Sequence, residues 1–242
     1  MAYFPFFMDI EGKRGVILGG GRVAEGKIAA LLPFGPQLVC IAPVICGGIE
    51  RIAASLPEGQ GGLRLISRRA QEEDLEGAFF VVAATDSSET NAWAAKLCRE
   101  KGILINAVDD RKNCSFYFPA LVKRGPVVMG ISTGGCSPAA AAWLRRKAER
   151  MVPEQLGDAA EQLGAVREQV KKSVPRSEAR AAVLKRLFAY CEERDFRLEP
   201  EELKRVLDGL LPEEEQRQNG RQEGTGSAET GKEADTEGEK RG

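Results

Sequence analysis

Three consecutive glycines give this sequence its clearest chemical signal. They follow the apolar run of residues 16–18 and precede a helix-like pattern that begins at Arg22. In such a turn Gly19 allows a tight bend, Gly21 lets backbone N–H groups approach a pyrophosphate, and Ala24 lets the helix pack closely on the strand. The phosphates would bind at the positive end of the helix. The spacing therefore predicts a dinucleotide-binding turn, although a glycine-rich turn in another kind of α/β unit has the same pattern.

Two adjacent carboxylates are the second candidate for chemistry. Asp109 and Asp110 follow the apolar run of residues 103–108, which predicts a buried strand. In an open parallel sheet, ligands bind at the edge formed by the carboxyl ends of the strands. A carboxylate at that edge can act as a general base, whereas in isolation the same residue is an ordinary cap or loop acid.

The residue types that are missing narrow the chemistry further. The sequence contains 0 histidines, which excludes Ser-His-Asp and Cys-His catalysis and leaves acid–base steps to carboxylates, Lys, Tyr, Cys or water. Its 6 cysteines form no CxxC pair, so we predict neither a metal site nor a redox motif. The 35 basic and 36 acidic residues nearly balance, which gives no reason to expect nucleic acid or an anionic membrane as a partner.

The N-terminal residues are apolar but have no basic segment before them, which argues against a signal peptide. No apolar run reaches the length that a membrane-spanning helix needs. We therefore predict a cytoplasmic protein.

Alternating strand and helix patterns occupy the first half of the chain. Strands are predicted after the glycine turn at residues 37–42, 63–66, 78–84 and 103–108, with helices between them. This alternation predicts an α/β fold with right-handed crossovers and a Rossmann-like parallel sheet. Beyond it, apolar runs at 116–122 and 127–132 predict a β-hairpin, and helical patterns follow at 139–151, 154–172, 177–194 and 200–211.

These patterns divide the chain into four predicted parts. They are a dinucleotide-binding Rossmann domain at 1–112, a segment with the hairpin at 113–150, a helical domain at 151–212 and a tail at 213–242. Apolar residues all but vanish in the tail, and its charged composition predicts disorder.

The end of the second strand bears on the choice of cofactor. Dinucleotide-binding domains often carry Asp or Glu there to hold the adenosine ribose, whereas this chain has Ala42, Pro43, Val44 and Ile45. No Arg or Lys stands at these positions to bind a 2′-phosphate. The sequence therefore favours NAD over NADP, with backbone groups around Pro43 and Val44 contacting the ribose.

Several short motifs occur together in this chain. They are Phe4-Pro5-Phe6-Phe7, the glycine turn followed by Lys27, Ala83-Ala84-Thr85-Asp86, Asn106-Ala107-Val108-Asp109, Ser115-Phe116 with Pro119-Ala120, and Ser132-Thr133-Gly134-Gly135-Cys136-Ser137-Pro138. In this order they resemble the precorrin-2 dehydrogenase module of siroheme synthases. The resemblance implies NAD-dependent oxidation of precorrin-2 to sirohydrochlorin. It also implies a homodimer in which the segment at 113–150, with its hairpin, forms part of the subunit interface.

The resemblance also implies roles for individual positions. Gly19 and Gly21 would shape the turn, Thr85 would lie near the nicotinamide, and further contacts to NAD are implied for Arg22, Val23, Pro43 and Val44. Asp109 matches the family's catalytic aspartate and, as a partly buried carboxylate, would take the proton that leaves when hydride passes to NAD.

Substrate binding is implied for the loop of Ser132, Thr133, Gly134 and Gly135, whose hydroxyls and amides could hold carboxylates of precorrin-2. A strand-to-helix turn explains these residues equally well.

Three functions remain open on the sequence. The first is the dehydrogenase, with at most minor ferrochelatase activity, because some relatives insert iron but a chain without histidine has few groups to guide a metal. The second is a non-catalytic NAD-binding sensor or scaffold. The third is another small-molecule NAD oxidoreductase, since a fold does not determine its substrate.

Overall fold

Five short apolar runs in the first half of the chain form one parallel sheet. The computed structural model describes residues 4–56 and 62–211. It divides into a unit that ends at Phe118 and a unit that begins at Pro119. The first unit contains β1 (Arg14–Leu18), α1 (Arg22–Leu31), β2 (Gln37–Ile41), α2 (Gly47–Ser55), β3 (Gly62–Ile66), β4 (Phe80–Ala83), α3 (Ser88–Lys101) and β5 (Leu104–Ala107).

The strands lie in the order β3-β2-β1-β4-β5, and every neighbouring pair is parallel. Val16, Ile17 and Leu18 of the central strand are fully buried, because helices cover both faces of the sheet. The direction of strand order reverses between β1 and β4, so the carboxyl ends of these two strands flank a crevice. The prediction of a Rossmann-like parallel sheet is confirmed.

The helix that follows β4 has well-defined ends. The Ser87 hydroxyl accepts a hydrogen bond from the Thr90 N–H at 3.1 Å, which satisfies one of the unpaired donors of the first turn. At the other end Gly102 adopts a φ of 68° and closes the helix, so the chain can enter β5 directly.

The second unit contains the predicted hairpin and helices. Its elements are β6 (Ala120–Arg124), β7 (Val127–Ile131), α4 (Pro138–Met151), α5 (Leu156–Ser173), α6 (Ser177–Glu192) and α7 (Pro200–Leu210). The two strands are antiparallel, and α4 and α5 pack against them. The last three helices share a core that includes Leu187, Leu203 and Leu207.

The first hairpin strand begins later than its apolar pattern predicts. The run was expected at 116–122, but the strand starts at Ala120. The reason is that Phe116 and Phe118 belong to the core of the first unit, where the Phe116 ring packs edge-on against Phe80 with centroids 6.4 Å apart. Apolarity alone does not distinguish a strand from a buried loop segment.

The four-part division of the chain stays a prediction, and its tail at 213–242 lies outside the described residues. Among the helices that are described, none combines the length and the apolar character required to cross a lipid bilayer.

Candidate active site

The glycine turn lies where three strands of the sheet end. Gly19 follows β1, and its N–H donates to the Ile41 carbonyl at the end of β2, at 3.0 Å. Its φ is 117°, and a Cβ at this position would lie 2.2 Å from the carbonyl oxygen of Ala84, just after β4. Because that oxygen belongs to the backbone and cannot rotate away, only glycine allows the turn to be this tight.

Gly21 has a different role at the start of α1. It precedes the helix with a φ of −90°, and a Cβ at this position would have nothing within 4 Å. The space beside it is therefore open where the first N–H groups of the helix lack an intrahelical partner. Arg22 and Val23 are both exposed at the same end of the helix. This geometry can accept a pyrophosphate, as the sequence predicts.

The loop after β2 packs against the glycine turn from the other side. The Cys46 N–H donates to the Gly20 carbonyl at 2.8 Å, and a Cβ on Gly20 would lie 2.2 Å from the carbonyl oxygen of Val44. Pro43 is exposed, and the Val44 side chain is 82% exposed. Pro43 and Val44 thus lie beside the turn, where a bound adenosine could cover them.

Thr85 is held in place by a buried asparagine of α3. The Thr85 hydroxyl donates to Asn91 Oδ1 at 2.8 Å, and Asn91 Nδ2 donates to the Thr85 carbonyl at 3.0 Å. The Ser87 N–H donates to the same hydroxyl at 3.2 Å. Asn91 was not identified from the sequence, although a polar residue on the inward face of a predicted helix is a usable signal.

Asp109 lies two residues after β5 in an unusual backbone conformation. Its φ is 61°, in the left-handed region that few residues other than glycine, asparagine and aspartate adopt. The side chain is exposed, so the expectation of partial burial is wrong. The N–H of Val108 donates to the carbonyl of Ala83 at 2.9 Å, which ties this loop to the end of β4. Asp109 therefore shares the carboxyl edge of the sheet with Thr85.

Lys27 also belongs to this neighbourhood. Its Nζ lies 3.9 Å from the centroid of the Phe118 ring. Burial disfavours the charged ammonium and lowers the pKa of Lys27, while the nearby Cys114 and Asp109 act in the opposite direction. The sequence motif included Lys27, but nothing in the residue pattern alone assigned it a role.

The segment after Asp110 folds back along β5. Asn106, which is 7% exposed, donates from Nδ2 to the Phe116 carbonyl at 3.0 Å. The Cys114 sulfur lies 3.1 Å from the Ala107 carbonyl and 3.2 Å from that of Asp110. Burial raises the pKa of Cys114, so its thiol form packs against the strand end.

The predicted substrate loop lies in the second unit. The Ser132 hydroxyl accepts from the Gly134 N–H at 3.1 Å, and the Thr133 hydroxyl donates to the Ser137 carbonyl at 3.1 Å. Gly134 and Gly135 have φ values of 60° and 73°. Both hydroxyls thus participate in the turn that leads into α4, which favours the strand-to-helix reading of this loop.

A metal centre was not predicted. Within residues 4–56 and 62–211, no three Cys, Asp or Glu side chains group closely enough to hold a metal ion.

Comparison with known proteins also indicates a dinucleotide-binding domain in the first half of the chain. Residues 6–120 match a family model described as "Putative NAD(P)-binding". The chain is 36% identical over 188 residues to siroheme synthase 1 of Pectobacterium atrosepticum, an alignment that covers 78% of this chain and 38% of that protein. It is 37% identical over 171 residues to siroheme synthase 3 of Aeromonas hydrophila, covering 71% of this chain and 36% of that protein.

A solved structure has the same fold. The structure of SirC, a precorrin-2 dehydrogenase, superposes with a TM-score of 0.65 at 22% sequence identity, covering 86% of this chain and 98% of that one. By contrast, the chain spans little more than a third of the length of the siroheme synthases, 38% and 36% of the two relatives above. The match to this dinucleotide-binding family confirms the prediction of a nicotinamide dinucleotide, NAD or NADP, as the type of cofactor.

Proposed function

We propose that this chain, a homologue of the N-terminal module of the siroheme synthases, oxidises precorrin-2 to sirohydrochlorin with NAD. The sequence similarity extends over 78% of the chain in one relative, well beyond the dinucleotide-binding part. The proposal therefore concerns the substrate as well as the cofactor.

One observation carries the proposal. An exposed carboxylate, Asp109, follows β5 at the same sheet edge as the glycine turn after β1 and Thr85 after β4. In a sheet of this topology, that edge is where a dinucleotide and its substrate meet. A base beside the nicotinamide is the group that a dehydrogenation needs from the protein.

The residues at this edge fit the cofactor. The open space at Gly21 and the unpaired N–H groups of α1 suit a pyrophosphate, and Arg22 and Val23 would contact it. The exposed loop of Pro43 and Val44 suits an adenosine without a 2′-phosphate, so we propose NAD rather than NADP. Thr85, fixed by Asn91, would contact the nicotinamide end.

The chemistry divides between cofactor and protein. NAD, when bound, supplies the acceptor for the hydride that leaves a carbon of precorrin-2. Asp109 takes the proton that leaves the substrate in the same oxidation, so two hydrogens are removed and one new double bond forms. The exposure of Asp109 leaves it accessible to a large tetrapyrrole.

Further parts of the proposal rest on the resemblance alone. We propose a cytoplasmic homodimer whose interface includes the segment at 113–150. Ser132, Thr133, Gly134 and Gly135 would hold substrate carboxylates through their backbone amides, since the two hydroxyls already serve the turn. Ferrochelatase activity is expected to be slow or absent because no histidine is available.

Two other functions compete with this one. A non-catalytic NAD sensor or scaffold would bind NAD without turnover and would be indifferent to the loss of Asp109. Another small-molecule NAD oxidoreductase would turn over a different substrate. The exposed Asp109 at the carboxyl edge of the sheet favours an enzyme, because ligands bind at that edge and a carboxylate there can act as a general base.

The test is an anaerobic incubation of the protein with precorrin-2 and NAD, in which the absorbances of NADH and sirohydrochlorin are followed together. The wild-type chain should form the two products in equal amounts. Asp109→Asn should lose activity while keeping the fold, since asparagine tolerates the left-handed conformation. Asp110→Asn is the matched control and should retain turnover. NAD binding without oxidation of precorrin-2 would contradict the proposal.

A further inference from the structure

Lys27 is a half-buried ammonium group without a direct anionic partner. Among the described residues it forms neither an ion pair nor a hydrogen bond. Its closest described interaction is with the face of the Phe118 ring, 3.9 Å away. A ring face stabilises a cation but accepts none of its three N–H bonds in the ordinary way. The ammonium therefore retains donors that an anion can use.

The position of this group matters because of its neighbours. Asp109 and Cys114 lie close enough to act electrostatically on Lys27. The Phe118 ring that Lys27 contacts packs against Phe116 with centroids 5.4 Å apart, and Asn106 of β5 donates to the Phe116 carbonyl. Lys27 therefore lies near the strand that leads to Asp109, within electrostatic range of its carboxylate. Partial burial strengthens any ion pair formed there, since water screens it less than at the surface.

The proposed reaction brings negative charges together beside Asp109. Precorrin-2 carries several carboxylate side chains, and its reacting carbon must come within hydrogen-bonding reach of the Asp109 carboxylate. Like charges brought this close repel each other. A cation beside Asp109 removes the repulsion and gives one substrate carboxylate a partner.

We propose that Lys27 is a substrate-binding residue that pairs with a carboxylate of the tetrapyrrole beside Asp109. This inference rests on the proposed function, since it names the group that recognises the polyanionic substrate. The Phe118 ring holds the ammonium from one side, and the substrate carboxylate approaches from the other. Lys27 is not a catalytic base here, because its role is to bind charge.

Steady-state kinetics of Lys27→Met test the inference. Methionine keeps the length and apolar packing of the side chain but removes the charge. We expect the KM for precorrin-2 to rise by about tenfold or more, the usual effect of losing a charge-assisted hydrogen bond. The kcat and the Kd for NAD should change by less than about twofold. Lys27→Arg should restore most of the affinity.

Lys96→Met is the matched control, because Lys96 lies exposed on α3 beside Glu100. It should leave KM unchanged. A thermal unfolding transition is measured for every variant to check that it is folded. A fall in kcat at constant KM, or an unchanged KM in Lys27→Met, would overturn the inference.

A binding measurement separates this inference from the proposed function. Uroporphyrin, a polycarboxylated porphyrin that the enzyme does not oxidise, is titrated and followed by its fluorescence. Wild type should bind it about tenfold more tightly than Lys27→Met, and equal affinities would count against Lys27. If wild type fails to oxidise precorrin-2 but this difference remains, the proposed function fails while the carboxylate site stands.

Discussion

Replacing Gly19 and Gly21 by alanine, one at a time, separates the folding role of the glycine turn from its binding role. Gly19→Ala places a methyl group 2.2 Å from the carbonyl oxygen of Ala84 at a φ of 117°. Gly21→Ala places the same methyl group where nothing lies within 4 Å, at a φ of −90° that alanine adopts readily. The two variants carry the same chemical change two residues apart.

The structure gives different magnitudes for the two changes. At Gly19, the unfavourable backbone conformation costs about 1–2 kcal/mol, and a contact with fixed backbone adds at least as much. We expect Gly19→Ala to lower the free energy of unfolding by about 3–5 kcal/mol, a large part of a typical domain's total. Gly21→Ala should lower it by less than about 1 kcal/mol.

For the affinity for NAD, Gly21→Ala should have the direct effect, whereas for stability Gly19→Ala has the larger one. In Gly21→Ala the new methyl group lies where a pyrophosphate would approach the amides of α1, so at least one charge-assisted hydrogen bond is lost. Such a loss of about 1.5–3 kcal/mol weakens NAD binding about ten- to a hundredfold. Urea unfolding measures the stability of each variant, and isothermal titration calorimetry measures its affinity for NAD.

Two results would refute this reasoning. If Gly19→Ala is as stable as wild type, the close approach of β1 and β4 at this turn does not require glycine. If Gly21→Ala binds NAD as tightly as wild type, the pyrophosphate does not lie against this residue, and the cofactor must bind elsewhere on the sheet edge.

The remaining predictions concern the asparagine that holds Thr85, one ion pair and two cysteines. Asn91→Leu should lower the free energy of unfolding by about 2 kcal/mol and weaken NAD binding, because the carbonyl and the N–H of Thr85 lose their hydrogen-bond partner. Unchanged NAD affinity in calorimetry would contradict this prediction. Hydrogen bonds from Arg68, at 2.7 Å, hold the pKa of Asp74 below its usual value despite burial. The stability that this pair contributes is present above about pH 4 and is lost as pH falls through the lowered pKa, so Asp74→Asn should be less stable than wild type at pH 7 by about 2 kcal/mol. Urea titrations should show the two converging in acid, and a constant gap would count against the ion pair. Burial raises the pKa of Cys40 to about 11, whereas Cys136 is exposed, so iodoacetamide at pH 8 should label Cys136 and spare Cys40, as peptide mass spectrometry can establish.

The sheet was predictable because its strands carry continuous apolar runs and its turn carries three glycines. Residues 37–42 predicted β2, and the observed strand is Gln37–Ile41. The hairpin start was not predictable from apolarity, since Phe116 and Phe118 are as apolar as a strand but pack as a loop beside β5. Tertiary contacts decide which apolar residues join a strand and which only pack in the core.

The candidate site was predictable only at positions with a strong local signal. Gly19 and Asp109 directly follow the predicted strands, so the sequence places them at the carboxyl edge of the sheet. Lys27 and Asn91 come from helices, and their relation to Asp109 and Thr85 depends on how those helices pack. No spacing rule links Lys27 to Asp109, which lie far apart in the chain. Asn91 follows Thr85 by only six residues, but it reaches Thr85 because α3 begins between them.

The left-handed backbone at residue 109 has a consequence for how this protein can change over generations. Aspartate, asparagine and glycine are the residues that tolerate this conformation, and in the genetic code aspartate is one base change from each of the other two. The proposed catalytic carboxylate could therefore be lost through a single-nucleotide substitution, the commonest type of mutation, without unfolding the chain. A duplicated copy that is no longer selected for catalysis would keep its sheet and its glycine turn. It could persist as a protein that binds the dinucleotide without catalysing a reaction.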